Sequence, residues 1–197
     1  MATVWIIGRV VLLAVAAIII GLLLYALPAT LSLAAGRRRG IEELTLEEAA
    51  MRLAATGQTG TDLVEAARAL IADRMQYCRR NSFDSPATAF QRGYGYCVQM
   101  AYALADLLAR LGIEAKVVQA FRNRFPDGTV GGHAWVRVNV GSEERDIDLI
   151  FYDAETGELT FTSLTRVTDL PPLFKLVTQW GAAAMNAHRY YRTGKDM

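Results

Sequence analysis

Residues 10–27 read VVLLAVAAIIIGLLLYAL and carry no charge, and no charge follows until Arg37. A helix needs about 20 apolar residues to cross the hydrocarbon core of a bilayer. A buried helix of a soluble domain is rarely apolar all round over such a length. The segment therefore reads as a single membrane helix, with Trp5 and Tyr25 placed to mark the two interfaces. A cleavable signal peptide is the rival. Arg9 would supply its charged start, and Ser32-Leu33-Ala34 a small-x-small site before Ala35. The run is long for a signal sequence, which favours an uncleaved single-pass anchor over a secreted product. Arg9 lies on one side of the run and Arg37, Arg38 and Arg39 on the other. The positive-inside rule leans weakly towards a cytoplasmic C-terminal domain and leaves the side open.

Lys and Arg number 21 against 20 Asp and Glu, a net charge of +1. That excludes a nucleic-acid binder built on counterion release. Two cysteines and two histidines are too few for a disulfide scaffold or a zinc ribbon. No phosphate loop or metal-ligand spacing is present, so no metal or cofactor is expected. The chain divides into an N-terminal anchor (1–36), a linker with a first helix (37–60), a core (61–170) and a C-terminal helix packed on or beside the core (171–197).

Thr45 and Glu48 form a capping-box pattern ahead of a helix that should stop near Gly57. Asp62 with Glu65 caps a second helix running to about Cys78, with Val64, Ala67, Ile71, Met75 and Cys78 on one face. Asn81, Ser82, Asp84, Ser85, Pro86, Gly93 and Gly95 punctuate a loop over 79–95. A third helix starts at Cys97 and ends before Gly112. Cys97, Ala101, Leu104, Leu108 and Leu111 form its apolar stripe, and Asp106 with Arg110 an exposed i, i+4 pair. Strands are predicted at 116–121, 133–140, 145–151 and 159–164, with turns at Pro126-Asp127-Gly128 and Gly141-Ser142. Pro171-Pro172 opens a last helix through about Tyr191, whose basic, aromatic tail holds His188. Helices first and an antiparallel sheet afterwards make the class α+β.

Three rare residues fall at telling places. A thiol attacks as its thiolate, and the unpaired N–H groups and dipole of a helix N-terminus favour negative charge. Cys97 opens the most clearly patterned helix, directly after Gly93-Tyr94-Gly95-Tyr96. A nucleophile also needs a base within hydrogen-bond reach and a third group to orient that base. His133 begins a strand after Gly131-Gly132, where glycine lets another backbone or a substrate approach. Asp148 lies on the next strand. A turn near 140–142 sets it opposite His133 or one diagonal away on the same face, where a carboxylate can accept from the imidazole and fix its tautomer. Each residue alone has a plainer meaning. A cysteine at a helix start is usually a small buried residue, a strand histidine is usually just hydrogen-bonded, and Asp146 and Asp148 read as a solvated face. In the order helix Cys, strand His, strand Asp they are much more specific.

Gly95-Tyr96-Cys97, the stretch ALADLLARLGIEAKVVQAF (103–121), Gly132-His133-Ala134-Trp135-Val136 and Ile147-Asp148 together resemble the transglutaminase-like superfamily, in its small bacterial form. The resemblance covers about 71–151. It implies a papain-like fold, with a thiol-bearing helix packed on an antiparallel sheet that carries His and Asp, preceded here by one membrane helix. By position it implies Cys97 as nucleophile, His133 as base and Asp148 as orienting acid. Leu149-Ile150 after Asp148 depart from the family pattern, so Asp146 stays open as the third member. Val98 stands where animal transglutaminases often carry Trp, and the chain is far shorter than those enzymes, so calcium-dependent crosslinking is not expected. Gln91, at the papain-type spacing before Cys97, is a candidate second oxyanion donor beside the Cys97 N–H. Tyr94 and Tyr96 are rival donors or pocket walls, and Trp135 is a further wall. The expected activity is thiol-dependent amide hydrolysis, or acyl transfer, on a peptide or protein substrate through a thioester. The competing expectations are a non-catalytic module that holds a peptide, and an accessory subunit that assembles with membrane-protein partners.

Overall fold

The computed structural model describes residues 2–32, 37–80, 83–170 and 172–194. Leu33, Ala34 and Ala35 of the small-x-small sequence, Asn81 and Ser82 of the expected loop, and Pro171 lie outside them. The first helix, α1 (Ala2–Ser32), contains the stretch Gly8–Ala29 with a mean hydropathy of 3.0. Leu12, Leu13, Ile18 and Leu24 are exposed along it. It is long and apolar enough to cross a membrane, and a signal sequence meets the same description.

Helix α2 (Leu46–Ala54) begins with the expected capping box: Thr45 Oγ1 accepts from the Glu48 N–H at 3.1 Å, and Glu48 Oε2 from the Thr45 N–H at 2.7 Å. Helix α3 (Gly60–Arg74) departs from expectation at both ends. Its N-cap is Thr59, with Asp62 inside the first turn, and it stops at Arg74 rather than near Cys78. The reason is competition for backbone partners. The Gln76 N–H donates to Gly93 O and the Cys78 N–H to Gly95 O, each at 2.9 Å, and Met75 turns extended. These bonds build a short parallel pair from β1 (Gln76–Tyr77) and β2 (Tyr94–Gly95). Between them lies a helix where a loop was expected, α4 (Pro86–Arg92). Ser85 Oγ accepts from the Thr88 N–H at 3.1 Å, Pro86 opens the helix, and Gly93 closes it in the left-handed region at φ +77°.

Helix α5 (Cys97–Arg110) follows as predicted and ends before Gly112, at φ +76°. The sheet comes next: β3 (Ala115–Arg124), β4 (Val130–Val140) and β5 (Glu143–Ile147), all antiparallel. The third of these is shorter than the predicted 145–151 strand at its far end. A hairpin of β6 (Tyr152–Asp153) and β7 (Glu158–Leu159) leads to β8 (Thr162–Ser163) and β9 (Thr168–Asp169), both of which pair with β3. The strand expected at 159–164 is therefore two pieces. The Thr160 N–H bonds back to Phe151 O at 3.0 Å, whereas the Leu164 N–H bonds to Arg122 O at 2.8 Å, so the chain changes partner between them.

The sheet is buried on both faces. Val117, Ala134, Val136 and Val138 pack under Met100, Ala101, Leu104 and Leu108 of α5, with α2 and α3 completing the main core. Val118, Ala120, Trp135 and Phe161 form a second cluster on the other face. Each buried side chain of Val or Leu size adds roughly 1.5–3 kcal/mol by leaving water. A final helix, α6 (Pro172–Thr193), packs on α1. The α+β class with helices on an antiparallel, curled sheet is the architecture found among the described residues, preceded by one apolar helix.

Candidate active site

Cys97 is the first residue of α5 and is half-buried. The helix start is held by a residue whose part the sequence reading missed. The Tyr96 N–H donates to Gln99 Oε1 at 3.2 Å, and Gln99 Nε2 donates to Asp84 O at 2.7 Å. Gln99 is buried. Glutamine at the third position of a helix is a legible half of a capping box. Gly95, just before, is pressed by Met75: a Cβ there would lie 2.7 Å from its Cε.

His133 is buried on β4 opposite Ala120 of β3. Past that pair the register slips, and a bulge follows between Ala120 and Asn123. Asn123, fully buried, staples it. Its Nδ2 donates to Ala120 O at 3.0 Å and Gly131 O at 3.2 Å, and its Oδ1 accepts from Ser163 Oγ at 2.8 Å. No local pattern in the sequence marks Asn123, because its partners lie on three strands.

Asp148 is the residue at which the chain leaves β5. The Val136–Ile147 pair sets it beside Trp135, one diagonal from His133. A carboxylate only accepts, so His133 Nε2 donates to Asp148 Oδ2, at 2.5 Å. The other oxygen, Oδ1, accepts from the Ile150 N–H at 2.6 Å and the Phe151 N–H at 2.7 Å. Asp146 goes elsewhere: directly opposite Arg137, it takes Nε at 2.6 Å and Nη2 at 2.9 Å.

With Nε2 engaged, Nδ1 is the ring nitrogen left for the sulfur. Burial opposes the charged imidazole. Hydrogen bonds to Asp148 and Cys97, and the charges of both, outweigh it and raise the His133 pKa to about 10. Phe161, Phe151 and Phe125 stand perpendicular to the ring at 5.3, 5.5 and 5.7 Å, and Trp135 lies nearly parallel at 6.2 Å.

Cys97, His133, Trp135 and Asp148 line one small cleft, floored by Met100 and Ile147. Gln91 does not line it. Ser85-Pro86 start a helix there, and Gln91 lies on its exposed side. Tyr94 is half-buried on β2 and also outside the lining. Tyr96 is buried behind the thiol, and burial first, then the neighbouring Cys97 charge, pushes its phenol pKa up. Cys78 is buried off the helix, after β1.

A cysteine at a helix start, an imidazole on an antiparallel strand and a carboxylate where the next strand ends are the layout of the papain-like class. The family model for the transglutaminase-like superfamily matches residues 47–146, and the chain belongs to that superfamily. No curated protein matches it. Among solved structures it is similar to a TGase, at 22% identity and a TM-score of 0.43, over 53% of this chain and 30% of that one. It is also similar to a proposed cysteine protease from Cytophaga hutchinsonii, at 15% identity and a TM-score of 0.48, over 74% of this chain and 53% of the other. A proposed protease from Parabacteroides distasonis shares 14% identity with a TM-score of 0.42, over 63% and 25% of the two chains. The aligned region is thus about half or less of each of those proteins.

Proposed function

We propose that the chain is a membrane-anchored, thiol-dependent amide hydrolase or acyltransferase working through Cys97, His133 and Asp148. The observation that carries this is the His133 ring, held by Asp148 at 2.5 Å and lining one cleft with Cys97. A pKa near 10 keeps the imidazole charged at neutral pH, ready to give a proton. The sulfur attacks an amide carbonyl carbon, and a C–S bond forms. The Cys97 N–H, at the first helical position and without an intrahelical acceptor, faces the developing oxyanion. The C–N bond then breaks as His133 protonates the leaving amine. Water or a second amine attacks the thioester, His133 takes its proton, and the thiolate leaves. Asp148, fixed by the Ile150 and Phe151 N–H groups, holds the ring in place throughout. Helix α1 keeps the domain on the bilayer as an uncleaved anchor, and the substrate is a peptide or protein amide.

Labelling of the full chain with a thiol-reactive electrophile such as iodoacetamide tests the proposal. Cys97→Ala and His133→Ala should each abolish rapid labelling, and Cys78→Ala should leave it intact. Labelling that moves to Cys78, or that ignores the loss of His133, overturns the proposal and leaves a non-catalytic module. A reporter fused after Met197 reads the membrane side.

A further inference from the structure

Helix α6 is locked to the membrane helix. Ala26 and Ala29 of α1 are buried against Ala183 and Ala187 of α6, and such small side chains let helix backbones approach closely. Pro28 removes one N–H from the α1 ladder. Beside it the Tyr191 hydroxyl enters the ladder, accepting from the Ala29 N–H and donating to Tyr25 O, each at 3.0 Å. Tyr25 Oη also lies 3.1 Å from His188 Nδ1, and the Tyr25 and Tyr191 rings meet edge to face at 5.3 Å. A hydroxyl that bridges an N–H and a carbonyl matters more where water is scarce.

The same turns of α6 reach the catalytic side. The Arg189 guanidinium is 3.7 Å from where a Cβ on Gly131 would stand, two residues before His133. Its charge acts on Tyr77, as does that of Cys97. Arg80 lies over the Tyr190 ring at 4.8 Å. On the nucleophile side Phe83 packs on the alanine cluster, and the carbonyl of its neighbour Asp84 holds Gln99 in the first turn of α5. Both sides of the cleft are therefore linked, within a few contacts, to the last turns of α1. Arg80, Arg189 and Arg192 make this end basic, which suits anionic headgroups.

We propose that the α1–α6 clasp holds the mouth of the cleft at the bilayer surface, so that its substrates are amide carbonyls presented within the headgroup layer. The proposal rests on the thiol chemistry above and makes the anchor part of the site's architecture. It is tested on the full Cys78→Ala chain in phosphatidylcholine vesicles containing phosphatidylglycerol. Alkylation of Cys97 is timed with iodoacetamide borne on a lipid headgroup and with soluble iodoacetamide. The headgroup-borne reagent should win by on the order of a hundredfold at equal bulk concentration. Tyr191→Phe, and separately Ala183→Leu, should cut that advantage roughly tenfold and leave the soluble rate unchanged. Equal rates for the two reagents, or an advantage that survives both substitutions, overturn the proposal. Failure of the underlying thiol chemistry looks different: soluble iodoacetamide would then label Cys97 at the same rate after His133→Ala.

Discussion

Asp148→Asn removes the charge that His133 faces and nearly preserves shape, so it isolates the electrostatics of the pair. Burial by itself would lower the imidazole pKa. The hydrogen bonds and charges of Asp148 and Cys97 instead raise it from 6.5 to about 10. The sign follows from proton counting. Below 6.5 folded and unfolded chains both bind the proton, and the stabilisation is fully present. Above 6.5 the unfolded chain sheds a proton that the native state keeps. Stability then falls by at most about 1.4 kcal/mol per pH unit until the folded value is passed. Across the whole window the ceiling is on the order of 5 kcal/mol, shared between Asp148 and Cys97. In the Asn variant the burial penalty gains the upper hand, the imidazole pKa drops, and the slope flattens. Urea unfolding of both proteins in detergent, followed by tryptophan fluorescence from neutral to mildly alkaline pH, measures the difference. Taking the difference cancels the buried phenols of Tyr77 and Tyr96, whose pKa values are raised in both chains. The gap between wild type and variant should narrow steadily as pH rises. A gap that stays constant or widens refutes an imidazolium–carboxylate pair at this site.

Four further outcomes follow from particular positions. Asn123→Ala strips three hydrogen bonds from a fully buried bulge. It should destabilise the chain by on the order of 3 kcal/mol in urea unfolding and slow Cys97 alkylation as the His133 end of β4 loosens. Gly93→Ala forces a side chain into φ +77° and sets its Cβ 2.5 Å from Ile41 Cδ1 and 3.1 Å from Arg74 O. A loss of about 1–3 kcal/mol in the same assay is expected. Gln91→Ala should leave iodoacetamide labelling unchanged, whereas Gln99→Ala, which removes the bonds to the Tyr96 N–H and the Asp84 carbonyl, should slow it.

The parts of this fold that were legible are those decided by neighbours in the chain. The Thr45–Glu48 box, the stripe of α5 with its Gly112 stop, and the two turns flanking β4 all follow from a few adjacent residues. The misread parts were decided at a distance. Residues 75–78 have apolar helical spacing, yet Gly93 and Gly95 supply strand partners and pull them out of α3. Ser85, Pro86 and Gly93 look like loop punctuation in the sequence although they are a helix start and stop, because α4 is too short to show a period. The choice between Asp146 and Asp148 was open for a related reason. Alternation puts both on one face, and only the Arg137 partner and the end of the β5 ladder separate them.

That separation also bears on why His133 and Asp148 are present together. Side chains only 4% and 3% exposed place an ionic pair where charge is hardest to solvate. Such a pair is weak ground for stability, since well-packed apolar residues in its place are often neutral or stabilising. Yet the surroundings are built to keep it. Two backbone N–H groups hold the carboxylate, four aromatic rings enclose the imidazole, and a buried asparagine fixes the bulge beside its strand. Local folding rules are broken here and compensated nearby, a pattern that belongs to working sites. Packing alone would be satisfied by leucine at either position. Holding an imidazole charged and oriented beside a thiol at a helix start is what the proposed amide cleavage through a thioester would require, and on that proposal the stability gained or lost by the pair is secondary.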